Sequence, residues 1–263
     1  MAVPDKSIER SASPAEAPAT VSGSPVSSGS PAPPALVQKT KKWKNGQPRQ
    51  TATFKEDKLH GEVLTYDSDG RLLRKTTFRD GIPDGPMLTY NKRGEVVERA
   101  FLRNGLLEGE VLSYHHGKLV SRTRYRGGKK NGEQEIFNDQ EQLILKRTYV
   151  EDQLDGEELG FDGQDHLIQK TTYVQGLRHG PSLGYYPGGM LREKAFYQND
   201  SLEGERIRYH TNGKPQEIQK FKEGRPLGPP QYFNEKGEPA PPPGAPPEEK
   251  SLLQRILDFV FGD

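Results

Sequence analysis

Histidines and a recurring glutamate are the residues whose types and spacing bear first on chemistry. The chain has six histidines and no cysteine, so thiolate catalysis, disulfides and Cys-ligated metals are excluded. His60 and His179 hold the same position in a repeated turn, five repeats apart. At roughly 10 Å per two-strand repeat they stand tens of ångströms from each other and cannot share a metal. His115 and His116 form an isolated pair with no further ligand close in sequence. Glu62, Glu110, Glu133, Glu157 and Glu205 each follow a repeated glycine. A row of like carboxylates is not an acid/base pair, because catalysis needs its acid and its base in unlike environments. The phosphate-binding loop, the nucleophile elbow and the His-Glu-x-x-His helix have no counterpart in the chain. These residues predict solvated ladder and turn positions, no cofactor, no metal and no enzyme. Asn199-Asp-Ser201 matches a glycosylation sequon and is read as incidental.

The elements that carry these residues follow a fixed period. Gly61, Gly85, Gly109, Gly132, Gly156, Gly180, Gly204 and Gly228 are separated by 24 residues at every step but one, which is 23. A period of this length marks a repeat architecture. Five residues after each glycine stands an aromatic: Tyr66, Tyr90, Tyr114, Phe137, Phe161, Tyr185, Tyr209 and Phe233. Seven residues before it stand Phe54, Phe78, Tyr125, Tyr149, Tyr173, Tyr197 and Phe221, with Leu102 in the remaining copy and Phe101 beside it. Four residues before it the chain is always Gly or Asp.

Each unit reads as a β-hairpin. In the second copy Leu72, Thr76 and Phe78 alternate along a leading strand, a period of two that fits a half-buried strand. The Gly/Asp-x-x-x-Gly segment is read as its turn, and Pro86 to Tyr90 as a short return strand. The single 23-residue step falls in a second turn, at Tyr114-His-His-Gly117, where a deletion preserves strand register. The expectation is an all-β fold: an elongated, twisted antiparallel meander of eight hairpin repeats, about seventeen strands and on the order of 80 Å long. Both aromatic columns are expected to line one face as a stripe, which serves either as packing or as a groove.

The array is assigned residues 41–238, with Trp43 to Gly46 as the remnant of a preceding unit. Residues 1–40 are rich in Ser, Pro and Ala and predict a disordered tail. Residues 239–247 read as a stiff Pro-rich linker, and 248–263 as a short amphipathic helix. Acidic residues lead that helix, and Leu252, Leu253, Ile256, Leu257 and Val260, joined by Phe261, fall at helical spacing on one face. They are the candidate partner-binding residues.

Composition limits the remaining options. The 263 residues are only 31% hydrophobic and include 29 glycines and 22 prolines, too little apolar material for a thick two-sided core. Net charge is +1, from 38 basic and 37 acidic residues, so no global field attracts nucleic acid. The basic cluster Lys39 to Lys44 and the Arg-aromatic strand Lys118 to Arg126 are interleaved with acidic strands and read as charge-paired surface. Met1 to Arg10 has no apolar leader, and no stretch reaches the roughly 20 apolar residues of a membrane span.

Phe78-x-x-Gly81-x-x-x-Gly85-Pro-x-x-x-Tyr90-x-x-x-Gly94 resembles the MORN repeat, and most closely its bacterial variant in YwqK-family antitoxins. The His-Gly step of that variant appears at His60-Gly61 and His179-Gly180. The resemblance implies a bacterial, cytoplasmic, non-enzymatic interaction protein with an antitoxin- or immunity-like role, binding a protein toxin through the repeat array. An alternative is a scaffold, adaptor or cargo component of a secretion or other multiprotein machine, docking through the carboxy-terminal helix. A third is phospholipid association at a membrane surface without stable insertion.

Overall fold

The computed structural model describes residues 35–245. Every regular element in that span is a strand, and all 21 strands join one antiparallel sheet in meander order. The sheet is open: Leu36–Lys42 begins it, Pro239–Ala240 ends it, and the two do not pair. No large side chain among the described residues is fully buried, as expected of a single layer with solvent on both sides.

The meander turns on left-handed backbone. Each hairpin closes through a two-residue turn whose residues both have positive φ, as in Asp80 (51°) with Gly81 (91°) and Asn199 (50°) with Asp200 (66°). This is the turn whose twist matches that of the flanking strands, and it favours Gly, Asn and Asp. It explains the column that is always Gly or Asp. The backbone N–H at that column also donates to a carbonyl of the preceding repeat, Gly81 to Leu59 and Gly176 to Leu154, both at 2.7 Å. The turn is therefore shorter than the Gly/Asp-x-x-x-Gly segment expected from sequence. The second glycine lies inside the return strand, in a bulge that shifts the register between Thr76 and Phe78, so that strand runs Ile82–Tyr90.

At the other end of several hairpins an Asx turn caps the loop. Asp67 Oδ1 accepts from the backbone N–H of Asp69 and of Arg71, at 2.9 and 2.8 Å. The 23-residue step replaces that loop with a two-residue turn at His116–Gly117, between paired His115 and Lys118. Beyond it Val111 still faces Thr123, so the deletion leaves the register intact.

Two boundaries differ from the sequence reading. Leu36–Lys42, placed largely in the expected tail, is a strand paired with Pro48–Lys55 and supplies the return arm of the partial first unit. Its β-branched residues Val37 and Thr40 suit a strand, and the Pro-rich stretch stops at Pro34. The strand number exceeds seventeen because three return strands are interrupted, at Glu108, Glu203 and between Pro226 and Gln231, and because Pro239–Ala240 adds a short pairing with Tyr232 and Phe233. Residues 1–34 of the expected tail and the expected helix at 248–263 lie outside the described residues.

Candidate functional site

Strand alternation gives the sheet two unlike faces. On the first, one row crosses the sheet through successive ladder partners: Ala52, Val63, Thr76, Met87 and Ala100, then Val111 and Thr123 through to Ala195. This spine includes the most buried residues of the array, among them Ala195 and Thr171, each 3% exposed. Two residues along each leading strand stand Phe54, Phe78, Leu102, Tyr125, Tyr149, Tyr173, Tyr197 and Phe221, on the same face. Most of them face the glycine of the preceding repeat: Gly61 opposite Phe78, Gly132 opposite Tyr149, Gly180 opposite Tyr197.

Most of the spine's polar groups find partners within it, although Thr89 Oγ1 and Arg206 Nε are buried without one among the described residues. Gln134 donates to Thr123 Oγ1 at 2.8 Å and accepts from Arg147 Nε at 2.9 Å. Arg147 also pairs with Glu158, and Tyr173 donates to that carboxylate. Further on, Glu217 is held by both Arg206 and Arg208. Cations lie over several rings, Arg178 at 4.1 Å from the centroid of Tyr197 and Lys130 at 4.9 Å from that of Tyr149. Burial pushes the Tyr125 and Tyr173 phenols above their ordinary pKa.

The other aromatic column does not join this stripe. Alternation from Met87 and Thr89 on the spine face puts Leu88 and Tyr90 on the opposite face, and Tyr66 and its equivalents follow the same parity. The expectation of one face with two aromatic columns is thus corrected: the two-residue turn pairs Phe78 with Pro83, an odd offset, so positions an even number apart across the turn lie on opposite faces.

That opposite face is a ladder of leucines and cations. Leu64 faces Lys75, Lys75 faces Leu88, Leu88 faces Arg99, and Arg99 faces Leu112. The pattern resumes with Lys146, Leu159, Lys170, Leu183 and Lys194. The recurring glutamates lie here and neutralise the cations: Glu62 with Lys75, Glu133 with Lys146, Glu157 with Lys170, Glu205 with Lys220. Glu110 approaches both Arg122 and Arg124. The hydrogen bond from Lys75 to Glu62 raises the lysine's pKa. These carboxylates are the solvated ladder that the sequence predicts.

Two repeats break the ladder in the same way. Where glutamate would follow the glycine stand Pro86 and Pro181, directly opposite Phe101 and Phe196. The phenylalanines are 40% and 46% exposed. Beside them Arg99 and Lys194 are exposed and make no ion pair among the described residues. Leu88 and Leu183 flank the cations across the ladder. The local sequences agree: Gly-Pro-Met-Leu with Glu-Arg-Ala-Phe, and Gly-Pro-Ser-Leu with Glu-Lys-Ala-Phe. Each patch therefore presents proline, leucine, phenylalanine and an unneutralised cation on one flat face. The sequence reading names Pro86 only as the start of a return strand and Phe101 only as a neighbour of Leu102. The joint change in two repeats was the available signal.

The histidines serve the turns. His60 Nδ1 lies 3.3 Å from Asp80 and His179 Nδ1 3.2 Å from Asn199, each reaching the next repeat. His115 and His116 contact only as rings, 4.1 Å between centroids. Among the described residues no three His, Asp or Glu side chains gather into a metal-binding group. No described helix is long and apolar enough to cross a membrane.

Known proteins share parts of this pattern. Residues 178–199 and 202–223 match the MORN repeat variant, and residues 35–153 match a family described as an uncharacterised protein. No curated protein matches the chain. Among solved structures, a chain titled "Crystal Structure of TcdB2-TccC3-Cdc42" aligns at 12% identity and a TM-score of 0.22, over 72% of this chain and 13% of that one. A second, "Crystal Structure of TcdB2-TccC3", aligns at 12% identity and 0.22 over 75% and 13%. The chain thus spans about an eighth of the length of either.

Proposed function

We propose that the chain, whose residues 178–199 and 202–223 match the MORN repeat variant, is a non-enzymatic protein-interaction module that engages its partner through the ladder face, at the patches around Phe101 and Phe196. The carrying observation is the repeated exchange of a neutralising glutamate for proline together with an exposed phenylalanine. In the other repeats the cation is satisfied within the ladder. Here Arg99 and Lys194 are left for an outside carboxylate, next to an aromatic anchor and a leucine. The patches lie four repeats apart, on the order of 40 Å at two strands per repeat. A partner that reaches both gains by effective concentration. The antitoxin-like repeat variant makes a cytoplasmic protein toxin the first partner class to test.

The experiment is affinity capture from the native host with the full chain and with a Phe101→Ser/Phe196→Ser variant, read by quantitative mass spectrometry. The proposal expects one protein enriched by the parent chain and lost with the variant, while the thermal unfolding of the two chains agrees. Equal recovery of that protein by both chains overturns it. Loss of the protein only when Leu253 and Leu257 are replaced by Asp would instead assign docking to the carboxy-terminal segment.

A further inference from the structure

The two ends of the sheet are finished differently. The amino-terminal edge is a seven-residue strand, Leu36–Lys42. The carboxy-terminal end is fragmentary. After Gly228 the chain reads Pro229-Pro230, and the last full return strand shrinks to Gln231–Phe233. Within the array a return strand such as Gly204–Tyr209 is covered at six positions by the next leading strand. Gln231–Phe233 pairs on its inner side with Pro215–Lys222, and on its outer side, among the described residues, with Pro239–Ala240 at Tyr232 and Phe233. Beyond that pairing no further strand follows among the described residues, and an open apolar groove lies among Pro229, Pro230, Tyr232, Phe233, Pro239 and Pro242.

The described chain stops at Ala245, beside this groove, with residues 246–263 still to come. Seven residues on stands Leu252, the first of the apolar stripe Leu252, Leu253, Ile256, Leu257 and Val260. Seven residues of extended chain reach at most about 25 Å, so the stripe is tethered within range of the groove and cannot reach the patch at Phe101, more than ten strands away. A helix of about fourteen residues is marginal alone and needs an apolar surface to stabilise it. The exposed terminus of a repeat array needs a cover that the next repeat would otherwise provide. The two needs meet at one place.

We infer that residues 248–261 dock in cis into the Pro229–Pro242 groove and cap the carboxy-terminal end of the sheet. The apolar stripe that includes Leu253 and Leu257 supplies the cover for Tyr232 and Phe233. Docked this way, the segment replaces the missing next strand as the cover of the last return strand. The inference is independent of the ladder-face proposal, since none of its residues belongs to those patches.

The test is amide hydrogen exchange on the full chain, with a Leu253→Asp/Leu257→Asp variant. The cis cap predicts that exchange at Gln231, Tyr232 and Phe233 rises at least tenfold in the variant. Exchange in the repeats between residues 58 and 185 should not change, and the protection in the parent chain should not depend on protein concentration. A reciprocal variant, Phe233→Ser, should speed tryptic cleavage after Arg255. Unchanged exchange at residues 231–233 in the Leu253→Asp/Leu257→Asp chain overturns the inference. Protection that appears only as a dimer forms overturns it too, in favour of a second copy as the occupant. Because the first variant alters only the segment, it leaves the sheet sequence intact and its reading does not depend on Phe233→Ser folding.

Discussion

Gly132 lies directly opposite Tyr149 of the next repeat, and the same relation joins Gly61 to Phe78 and Gly156 to Tyr173. The two strongest columns of the sequence are thus partners across a repeat boundary, not within a repeat. Gly132 has φ of 112°, and a Cβ there would point at the Arg124 side chain, 3.0 Å away on the ladder face. The tyrosine ring therefore crosses a backbone position that projects no side chain toward it. This pairing couples each repeat to its neighbour, which is how a thin array gains cooperativity.

The bulge glycines should accordingly be less replaceable than the loop glycines. At Gly85 a Cβ would sit 2.9 Å from Thr77 Cβ at a φ of 127°, whereas at Gly94 it would meet nothing within 4 Å at a φ of 80°. Gly85→Ala is expected to cost at least about 2 kcal/mol and Gly94→Ala about 1 kcal/mol, compared by urea unfolding midpoints at constant slope. Equal costs would refute the role given to the bulge.

The spine network should be sensitive to its central amide. Gln134 is 8% exposed and contacts Thr123, Arg147 and Tyr149. Gln134→Leu keeps the volume but leaves those polar groups without their partner. The expected loss is about 1–3 kcal/mol. On the ladder face Glu133→Gln should change stability by less than about 1 kcal/mol, since its pair with Lys146 is exposed.

Acid should weaken the turns in a defined window. Hydrogen bonds from the Arg71 backbone hold the Asp67 carboxyl below the usual range, and the Arg178 guanidinium does so for Asp200. Backbone N–H bonding from Gln164 lowers Asp162, and Lys129 lowers Glu151. A carboxyl depressed in the folded state contributes stability that is present above its unfolded pKa and lost as pH falls through the folded value. Stability should therefore be level above about pH 5 and decline below the ordinary carboxylate range near 4. Asp200→Asn should reduce the steepness of that decline, measured by urea unfolding at pH 3 to 7. An unchanged slope would show that this turn carries no linked proton.

Much of the fold was legible because a repeat offers the same evidence many times. The glycine at Gly85 and its equivalents fixed the period, and the Gly/Asp column marked a turn that needs positive φ. Parity was not legible. Phe78 and Tyr90 are twelve residues apart, an even number, and alternation alone places them on one face. The two-residue turn at Asp80–Gly81 pairs Phe78 with Pro83, five residues on, and so reverses the side, while the bulge at Gly85 adds two residues and leaves it unchanged. The segment from Gly81 to Gly85 reads as one turn in sequence, and it is the turn's true length of two residues that sets the side. The start of the sheet at Leu36 was hidden because Lys39 to Lys44 reads as a charged cluster, although an edge strand tolerates lysine well. The ladder-face patches were half visible: Pro86 and Pro181 were plain in sequence, but their meaning needed Phe101 and Phe196 to be seen opposite them.

The patches should matter for binding and not for folding. Phe101 and Phe196 are exposed, so serine at either site should shift stability by no more than about 0.5 kcal/mol. Arg99→Ser and Lys194→Ser should weaken binding and flatten its dependence on salt, because they remove the cations left for the partner.

The most direct test of the central claim is the affinity of the protein captured from the native host for four chains: the parent, Phe101→Ser, Phe196→Ser and the double variant. A ladder-face module with two patches predicts that each single variant loses at least about tenfold, and that the double variant loses more than either alone. An affinity unchanged in the double variant, with the sheet intact by circular dichroism, would contradict the account and remove the ladder face from the binding site.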